Sequence, residues 1–332
     1  MIIQLKNNVT PERVTELSKS LQAIVVNNDG ATLLVTPSAT KTIDPSYETH
    51  VEKFYVMETD IQLAHPSFMA GKRTVQWGKN TIGGTSNNSV VIAGPCSVES
   101  REQITQSAEL MKSLGISTLR AGCYKPRTSP YTFQGLGLEG LKLLAEVRDK
   151  YDLNIITEVK DSSHIEEVIE HTNIIQVGAK AMYDHSILKR CGTAGKPVLL
   201  KRGFGTTLQE FVQAAEFILS GGNDQVILCE RGIRTFETKT RFTLDLCGAA
   251  YLKHHTNLPV ILDPSHAIGY AYGVPDLSRA CIAMGIEGVL IEVHPTPKIA
   301  KSDASQQLNH QEFTDLFASL NGVAKAVGRN LI

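Results

Sequence analysis

The chain has 332 residues, of which 42% are apolar and 20% charged, and its formal net charge is -1. That balance excludes a global field able to draw nucleic acid or an anionic membrane, so any anion-binding chemistry has to be local. No run approaches the ~20 apolar residues of a membrane span, the start MIIQLKNNVT lacks the pattern of a signal peptide, and the sequence reads as cytoplasmic.

Residues 1–70 open with an alternating strand, MIIQLK, and a helix, PERVTELSKSLQ, that begins on Pro11 and carries Val14, Leu17 and Leu21 at helical spacing. Two apolar runs joined by Asn-Asn-Asp-Gly come next as a hairpin, then a short helix near Pro45 to His50 and a last strand in VEKFYVME. The expected module is a small α+β ferredoxin-like βαββαβ domain. It holds no catalytic constellation, which leaves a structural appendage or a regulatory module. Residues 71–88 read as a linker with one hairpin, where Trp77 would anchor a plug beneath the larger C-terminal domain.

From residue 89 the rhythm changes. Eight strand-like runs, VVIAG at 90, STLRAG at 117, NIITEV at 154, NIIQVG at 173, PVLLKR at 197, QVILCER at 225, PVILDP at 259 and GVLIEV at 288, alternate with amphipathic segments. Eight such units over residues 89–332 predict an α/β fold of the (β/α)8 TIM barrel type. An open doubly wound sheet is the alternative, but no Gly-rich dinucleotide fingerprint follows the first run.

Barrel enzymes carry their chemistry at the C-terminal strand ends. Here those ends deliver Cys96, Arg120 with Lys125, Glu158, Lys180, Lys201 with Arg202, Glu230 with Arg231, Asp263 with His266, and Glu292 with His294. A single charged strand end is usually solvated surface; eight facing one mouth point to a site. The stretch from Arg120 to Ser129, RAGCYKPRTS, is its most concentrated part. Pro126 stiffens the Lys-Pro-Arg unit, and Arg120, Lys125 and Arg127 with Thr128 and Ser129 suit a phosphate or carboxylate held in one orientation. Together with Lys180, Lys201 and Arg231 they provide for a polyanionic substrate.

The six cysteines lie far apart with no CxxC spacing, against a disulfide framework or zinc knuckle. Cys96 has another reading. With His266, Glu292 and, eleven residues on, Asp303, it forms a mixed set suited to a divalent transition metal, which barrel closure would assemble.

AGPCSVES, LRAGCYKPRTSPYTFQGLG, LLKRG, ILCERGIRTFE, LDPSHAIG and IEVHPTPKIAKSD, in this order, resemble the 3-deoxy-D-arabino-heptulosonate 7-phosphate (DAHP) synthases of type I beta, which begin the shikimate pathway. The resemblance implies metal-dependent condensation of phosphoenolpyruvate with erythrose 4-phosphate, releasing phosphate. It implies metal ligation by Cys96, His266, Glu292 and Asp303, with Mn2+ expected and Fe2+, Co2+ or Zn2+ as other occupants. Arg120, Lys125, Lys180, Lys201 and Arg231 would grip phosphoenolpyruvate, and Arg127, Thr128 and Ser129 the aldose phosphate; Glu230 is counted with the substrate-binding set. Lys125 is the preferred acid, with Glu158 and Asp263 as competing proton carriers. The resemblance also implies a homotetramer and an aromatic effector, tyrosine or phenylalanine, at residues 1–70. Two features depart from the family pattern: Lys180 replaces an arginine, and Tyr270 and Tyr272 stand where paired arginines are common. A related octulosonate or nonulosonate synthase and a catalytically silent sugar-phosphate sensor are the alternatives.

Overall fold

The computed structural model describes residues 1–28, 30–125 and 129–332. Strand β1 (Ile2–Leu5) is followed by α1 (Pro11–Ser20), β2 (Ile24–Asn28), β3 (Ala31–Val35) and, after a 3-10 turn over Pro45–His50, β4 (Val51–Tyr55). The Thr10 hydroxyl accepts from the Arg13 N–H and Pro11 fills the first helical turn, which fixes where α1 starts. The strands pair antiparallel in the order β2-β3-β1-β4, the ferredoxin-like arrangement. Helix α1 lays Leu17 on Met1, Ile3, Leu5 and Leu34, while Ile2, Val26, Leu33 and Val35 on the opposite face join the main core. The second crossover helix is reduced to that 3-10 turn, capped by Asp44 on the Ser46 N–H.

Hairpin β5 (Thr74–Trp77) and β6 (Asn80–Gly83) forms its own two-stranded antiparallel sheet. Its Val75, Trp77 and Ile82 pack into one cluster with the barrel's inward-facing Val90, Ile92, Ile156, Ile174, Leu199 and Ile227. The Trp77 indole N–H donates to Thr118 Oγ1 at 2.9 Å, so the buried polar end of the ring is satisfied. The hairpin therefore plugs the N-terminal end of the barrel.

Among the described residues, eight parallel strands form the barrel: β7 (Asn88–Gly94), β8 (Thr118–Arg120), β9 (Asn154–Val159), β10 (Ile174–Val177), β11 (Val198–Lys201), β12 (Val226–Glu230), β13 (Val260–Leu262) and β14 (Gly288–Glu292). Pairing of β14 with β7, from Gly288 against Val90 to Glu292 against Gly94, closes the ring and excludes the open sheet. The outer layer is α2 (Arg101–Ser113), α3 (Leu138–Tyr151), α4 (Ile165–His171), α5 (His185–Gly192), α6 (Leu208–Leu219), α7 (Leu246–His255), α8 (Pro264–Ile268), α9 (Val274–Ala283) and α10 (His310–Ala326), before a terminal β15 (Asn330–Leu331) on β7. Capping boxes at Thr207/Glu210 and Asn309/Glu312 start α6 and α10.

Strand alternation sets the site. Val91, Leu119, Ile155, Leu200, Leu228, Val260 and Ile291 face the helices, and their neighbours Ile92, Ile156, Leu199, Ile227, Cys229, Ile261 and Leu290 face the axis. Two residues beyond the inward set, the same parity turns Arg120, Glu158, Gln176, Lys201, Arg231, Asp263 and Glu292 toward the mouth. Glu230 falls on the other parity and faces the helix layer.

One buried carboxylate ties the N-terminal segment to the barrel. Glu216 of α6 accepts the backbone N–H groups of Gln62, Leu63 and Ala64 at 2.8, 3.1 and 2.7 Å. Burial pushes its carboxyl up to about 7, against the pull of those donors. Glu216→Ala leaves three donors without an acceptor and should lower stability by about 2–4 kcal/mol. Urea unfolding checks this, and a loss under about 0.5 kcal/mol would contradict the anchoring role.

Candidate active site

At the C-terminal mouth a line of largely buried groups sets two carboxylates, one on each side of an imidazole, against two cations. Lys201 Nζ stands 2.6 Å from Asp263 Oδ2, which is 2.8 Å from His266 Nδ1. His266 Nε2 is 3.5 Å from Glu292 Oε1, and that oxygen accepts from Arg120 NH1 at 2.8 Å. Asp263 Oδ1 also accepts the His266 backbone N–H at 3.0 Å, which sets the first turn of α8. Burial holds the His266 pKa down despite Asp263 and Glu292. The ring therefore lies between two carboxylates, with Nδ1 facing Asp263 and Nε2 facing Glu292.

Beside this line, Cys96 Sγ lies 3.2 Å from Asp303 Oδ2, 3.0 Å from Ser302 Oγ and 3.0 Å from Lys125 Nζ. Cys96, Glu292 and Asp303 each bring a ligand atom within 4.8 Å of the other two. Burial, reinforced by Glu292, pushes the Cys96 thiol up to about 12. Asp303 behaves oppositely: burial is outweighed by His266, Arg241 and Lys125, which hold its carboxyl well below the ordinary range. A thiol and two carboxylate oxygens converge here; His266, the fourth expected ligand, lies beside the group, 3.5 Å from Glu292, and is not within it. This donor set fits a divalent transition cation.

The cavity above has a volume of about 300 Å³ and is lined by Lys125, Glu158, Ala179, Lys180, Lys201, Phe204, Arg231, Arg241, Phe242, His266 and Asp303. Arg231 Nη1 and Arg120 Nε are buried without a hydrogen-bond partner. Unpartnered buried guanidinium nitrogens beside a cavity are where an anion gains most. Glu158 Oε2 accepts from Gln176 Nε2 at 2.8 Å, and a Cβ on Gly178 would come within 2.1 Å of Glu158 Oε1. Glycine there lets the carboxylate lie along the wall.

The expected residues therefore separate. Lys125, Glu158, Lys180, Lys201, Arg231, His266 and Asp303 line the cavity, while Cys96, Arg120, Asp263 and Glu292 form the buried layer that contacts them. Glu230 does neither: its carboxylate accepts the Gly232 N–H at 2.8 Å and the Asp245 N–H at 3.3 Å, and burial pushes it up to about 7. Ser129 Oγ accepts the Tyr131 N–H at 3.3 Å outside the cavity lining. Arg127 and Thr128, with Pro126, lie outside the described residues. Tyr270 and Tyr272 stack on each other with centroids 5.8 Å apart and do not line the cavity.

Sequence reasoning missed several contributors, Phe204 in the cavity wall and Gln176 on Glu158 among them, and three more from long loops. Arg241 donates to Gln306 Oε1 at 2.8 Å, and Gln306 Nε2 donates to Glu292 Oε2 at 2.6 Å, so loop groups orient a buried carboxylate. Phe242 forms part of the wall. All three sit in loops after the sixth and eighth strands, where no period marks a facing; the only signal was the presence of a cation and an aromatic in GIRTFETKTRF.

The profile of the DAHP synthetase I family matches residues 62–328. The chain is 47% identical over 238 residues to the phospho-2-dehydro-3-deoxyheptonate aldolase of Thermotoga maritima, covering 72% of this chain and 70% of that protein. It is 34% identical over 234 residues to the 2-dehydro-3-deoxyphosphooctonate aldolase of Methylobacillus flagellatus, 64% of this chain and 82% of that one. The crystal structure of the Thermotoga maritima DAHP synthase superposes with a TM-score of 0.81 at 37% identity, over 100% of this chain and 99% of that one. The ordered motifs, the closed barrel and the profile agree: this chain belongs to the DAHP synthetase I family.

Proposed function

We propose that the chain condenses phosphoenolpyruvate with D-erythrose 4-phosphate to DAHP and inorganic phosphate. The observation that carries this reading is the juxtaposition of an arginine- and lysine-lined cavity with the Cys96, Glu292 and Asp303 cluster. The cations suit the phosphate and carboxylate of the enol substrate, Arg231 and Lys180 from the wall and Lys125 and Lys201 from the floor. Arg120, on Glu292, sits below them. Arg127, Thr128 and Ser129 receive the second phosphate in this reading, and Lys180, a point charge in place of a guanidinium fork, gives up bidentate geometry.

Cys96, His266, Glu292 and Asp303 would hold the divalent ion, for which Mn2+ is proposed and Fe2+, Co2+ or Zn2+ also suit the donors. When bound, such an ion supplies Lewis acidity at the aldehyde oxygen. As C3 of the enol attacks the aldehyde carbon, Lys125 provides a proton for the developing alkoxide. Its ammonium lines the cavity and is oriented by the Cys96 carbonyl at 3.1 Å and sulfur at 3.0 Å. Water then adds at C2 with Glu158 as the acceptor of its proton, since that carboxylate faces the cavity and is steadied by Gln176. The C2–O bond to phosphate breaks last, and Arg231 and Lys180 hold the departing charge. Asp263 keeps the Lys201 ammonium and the His266 ring in place. The octulosonate reading shares this chemistry and differs only in the aldose phosphate consumed.

We further propose that residues 1–70 form a regulatory domain, joined through 71–88 to the catalytic barrel of 89–332. Tyrosine or phenylalanine would bind there within a homotetramer.

Purified protein with Mn2+ should release phosphate only when both substrates are present, measured by a coupled phosphate assay. Release with arabinose 5-phosphate in place of erythrose 4-phosphate would favour the octulosonate reading, and release with neither sugar would contradict the proposal. Lys125→Met should lower kcat roughly 10²- to 10⁴-fold; an unchanged kcat removes it as the acid. Cys96→Ser should reduce bound Mn2+ in equilibrium dialysis while circular dichroism stays unchanged, and full stoichiometry at wild-type affinity would remove Cys96 from the ligands. Deleting residues 1–60, which spares the Gln62–Ala64 anchor, should abolish inhibition by tyrosine or phenylalanine; inhibition retained at the full-chain level would refute a regulatory role.

A further inference from the structure

Most cations at the mouth have an acid to hold them. Lys201 has Asp263, Arg120 has Glu292 and Arg202 has Asp245 at 2.8 Å. Arg231 is 5% exposed and, among the described residues, makes no ion pair. Its guanidinium instead lies over the ring of Phe242, with Cζ 4.4 Å from the centroid. Phe242 stacks on Phe204 at 5.4 Å and 24°, and Arg234 lies over the far ring at 4.8 Å. Arg241 also lies over the Phe242 ring, farther out at 5.8 Å, so Arg231 is the guanidinium in closest contact with that ring.

An aromatic face attracts a guanidinium through the ring quadrupole and leaves its in-plane N–H donors unused. A carboxylate partner would occupy two of them. Backbone contacts fix the ring: the Phe242 N–H donates to the Ala267 carbonyl at 2.8 Å, and Ile233 and Thr243 exchange two hydrogen bonds of 2.9 and 3.0 Å. Gly232 adopts φ +97°, and a Cβ there would stand 2.7 Å from Phe242 Cβ, so only glycine permits this approach. Glu230 accepts N–H groups at Gly232 and Asp245 and thereby clamps both ends of the loop that carries Arg231, Arg241 and Phe242.

We propose that Phe242 is a positioning residue that holds Arg231 with its donors free for a phosphate or carboxylate. This rests on the reading of Arg231 as a phosphoenolpyruvate ligand. The test is calorimetric titration of the full-length, Mn2+-loaded protein with phosphoenolpyruvate and, separately, inorganic phosphate. Phe242→Leu, which keeps an apolar side chain without a π face, should weaken both roughly tenfold to thirtyfold. Phe242→Tyr should stay within about threefold of wild type, because its ring keeps the quadrupole. Should the leucine variant not fold, Phe242→Met carries the same expectation. In turnover the leucine variant should raise KM for phosphoenolpyruvate, lower kcat because Arg231 also holds the departing phosphate, and leave KM for the aldose phosphate within about threefold, a split that general loosening of the fold would not give. Equal phosphate affinity in wild type and the leucine variant overturns the proposal, as does a tyrosine variant as weak as leucine. If wild type binds phosphate through this residue but turns over neither sugar phosphate, the functional reading fails and this one stands. If wild type binds neither ligand, both fall.

Discussion

Five buried side chains, Lys201, Asp263, His266, Glu292 and Arg120, hold one another in a line across the barrel mouth, and the rest of the site depends on that line. Each charge is taken out of water, which is tolerated only because its neighbour is of opposite sign or is a hydrogen-bond partner. Removing one member would strand another, at a cost on the order of 3–5 kcal/mol for a broken buried pair. The layer is thus a structural element as well as a chemical one: it packs against the Cys96 and Asp303 cluster, while Arg231 in the cavity wall makes no ion pair among the described residues.

Much of this was legible because strand alternation leaves little freedom. Once the eight runs were placed, Arg120, Glu158, Lys201, Asp263 and Glu292 had to share one end of the barrel, and closure of β14 on β7 brought the first and last strands together. The same rule, applied more strictly, separates Glu230 from Arg231. They are adjacent in ILCERG, yet Ile227 and Cys229 face the axis, so Arg231 follows them inward and Glu230 is left among the helices. The eight-unit rhythm is likewise readable, as is the short second N-terminal helix, here a 3-10 turn.

Loops gave up less. Arg241, Phe242 and Gln306 reach the site through the paths of long connections, set by backbone contacts to Ala267 and Ile268 or by a left-handed Asp303 at φ 47°, and no spacing in the sequence encodes those paths. Glu216 was equally silent: an acid on an amphipathic helix reads as solvated surface, and only the arrival of Gln62–Ala64 against it makes it an anchor. In each case long-range contacts assign the role, whereas local pattern assigns the strand residues.

The proposed catalysis requires the Cys96 cluster and the Arg231 wall to act on one ligand set. A crystal structure of the protein soaked with Mn2+ and phosphoenolpyruvate, with anomalous data collected at the manganese edge, tests this most directly. The expected result is one anomalous peak within bonding reach of Cys96 Sγ, His266 Nε2 and the Glu292 and Asp303 carboxylates, with the ligand phosphate on Arg231. A peak away from those atoms, or phosphoenolpyruvate bound outside this cavity, would contradict it.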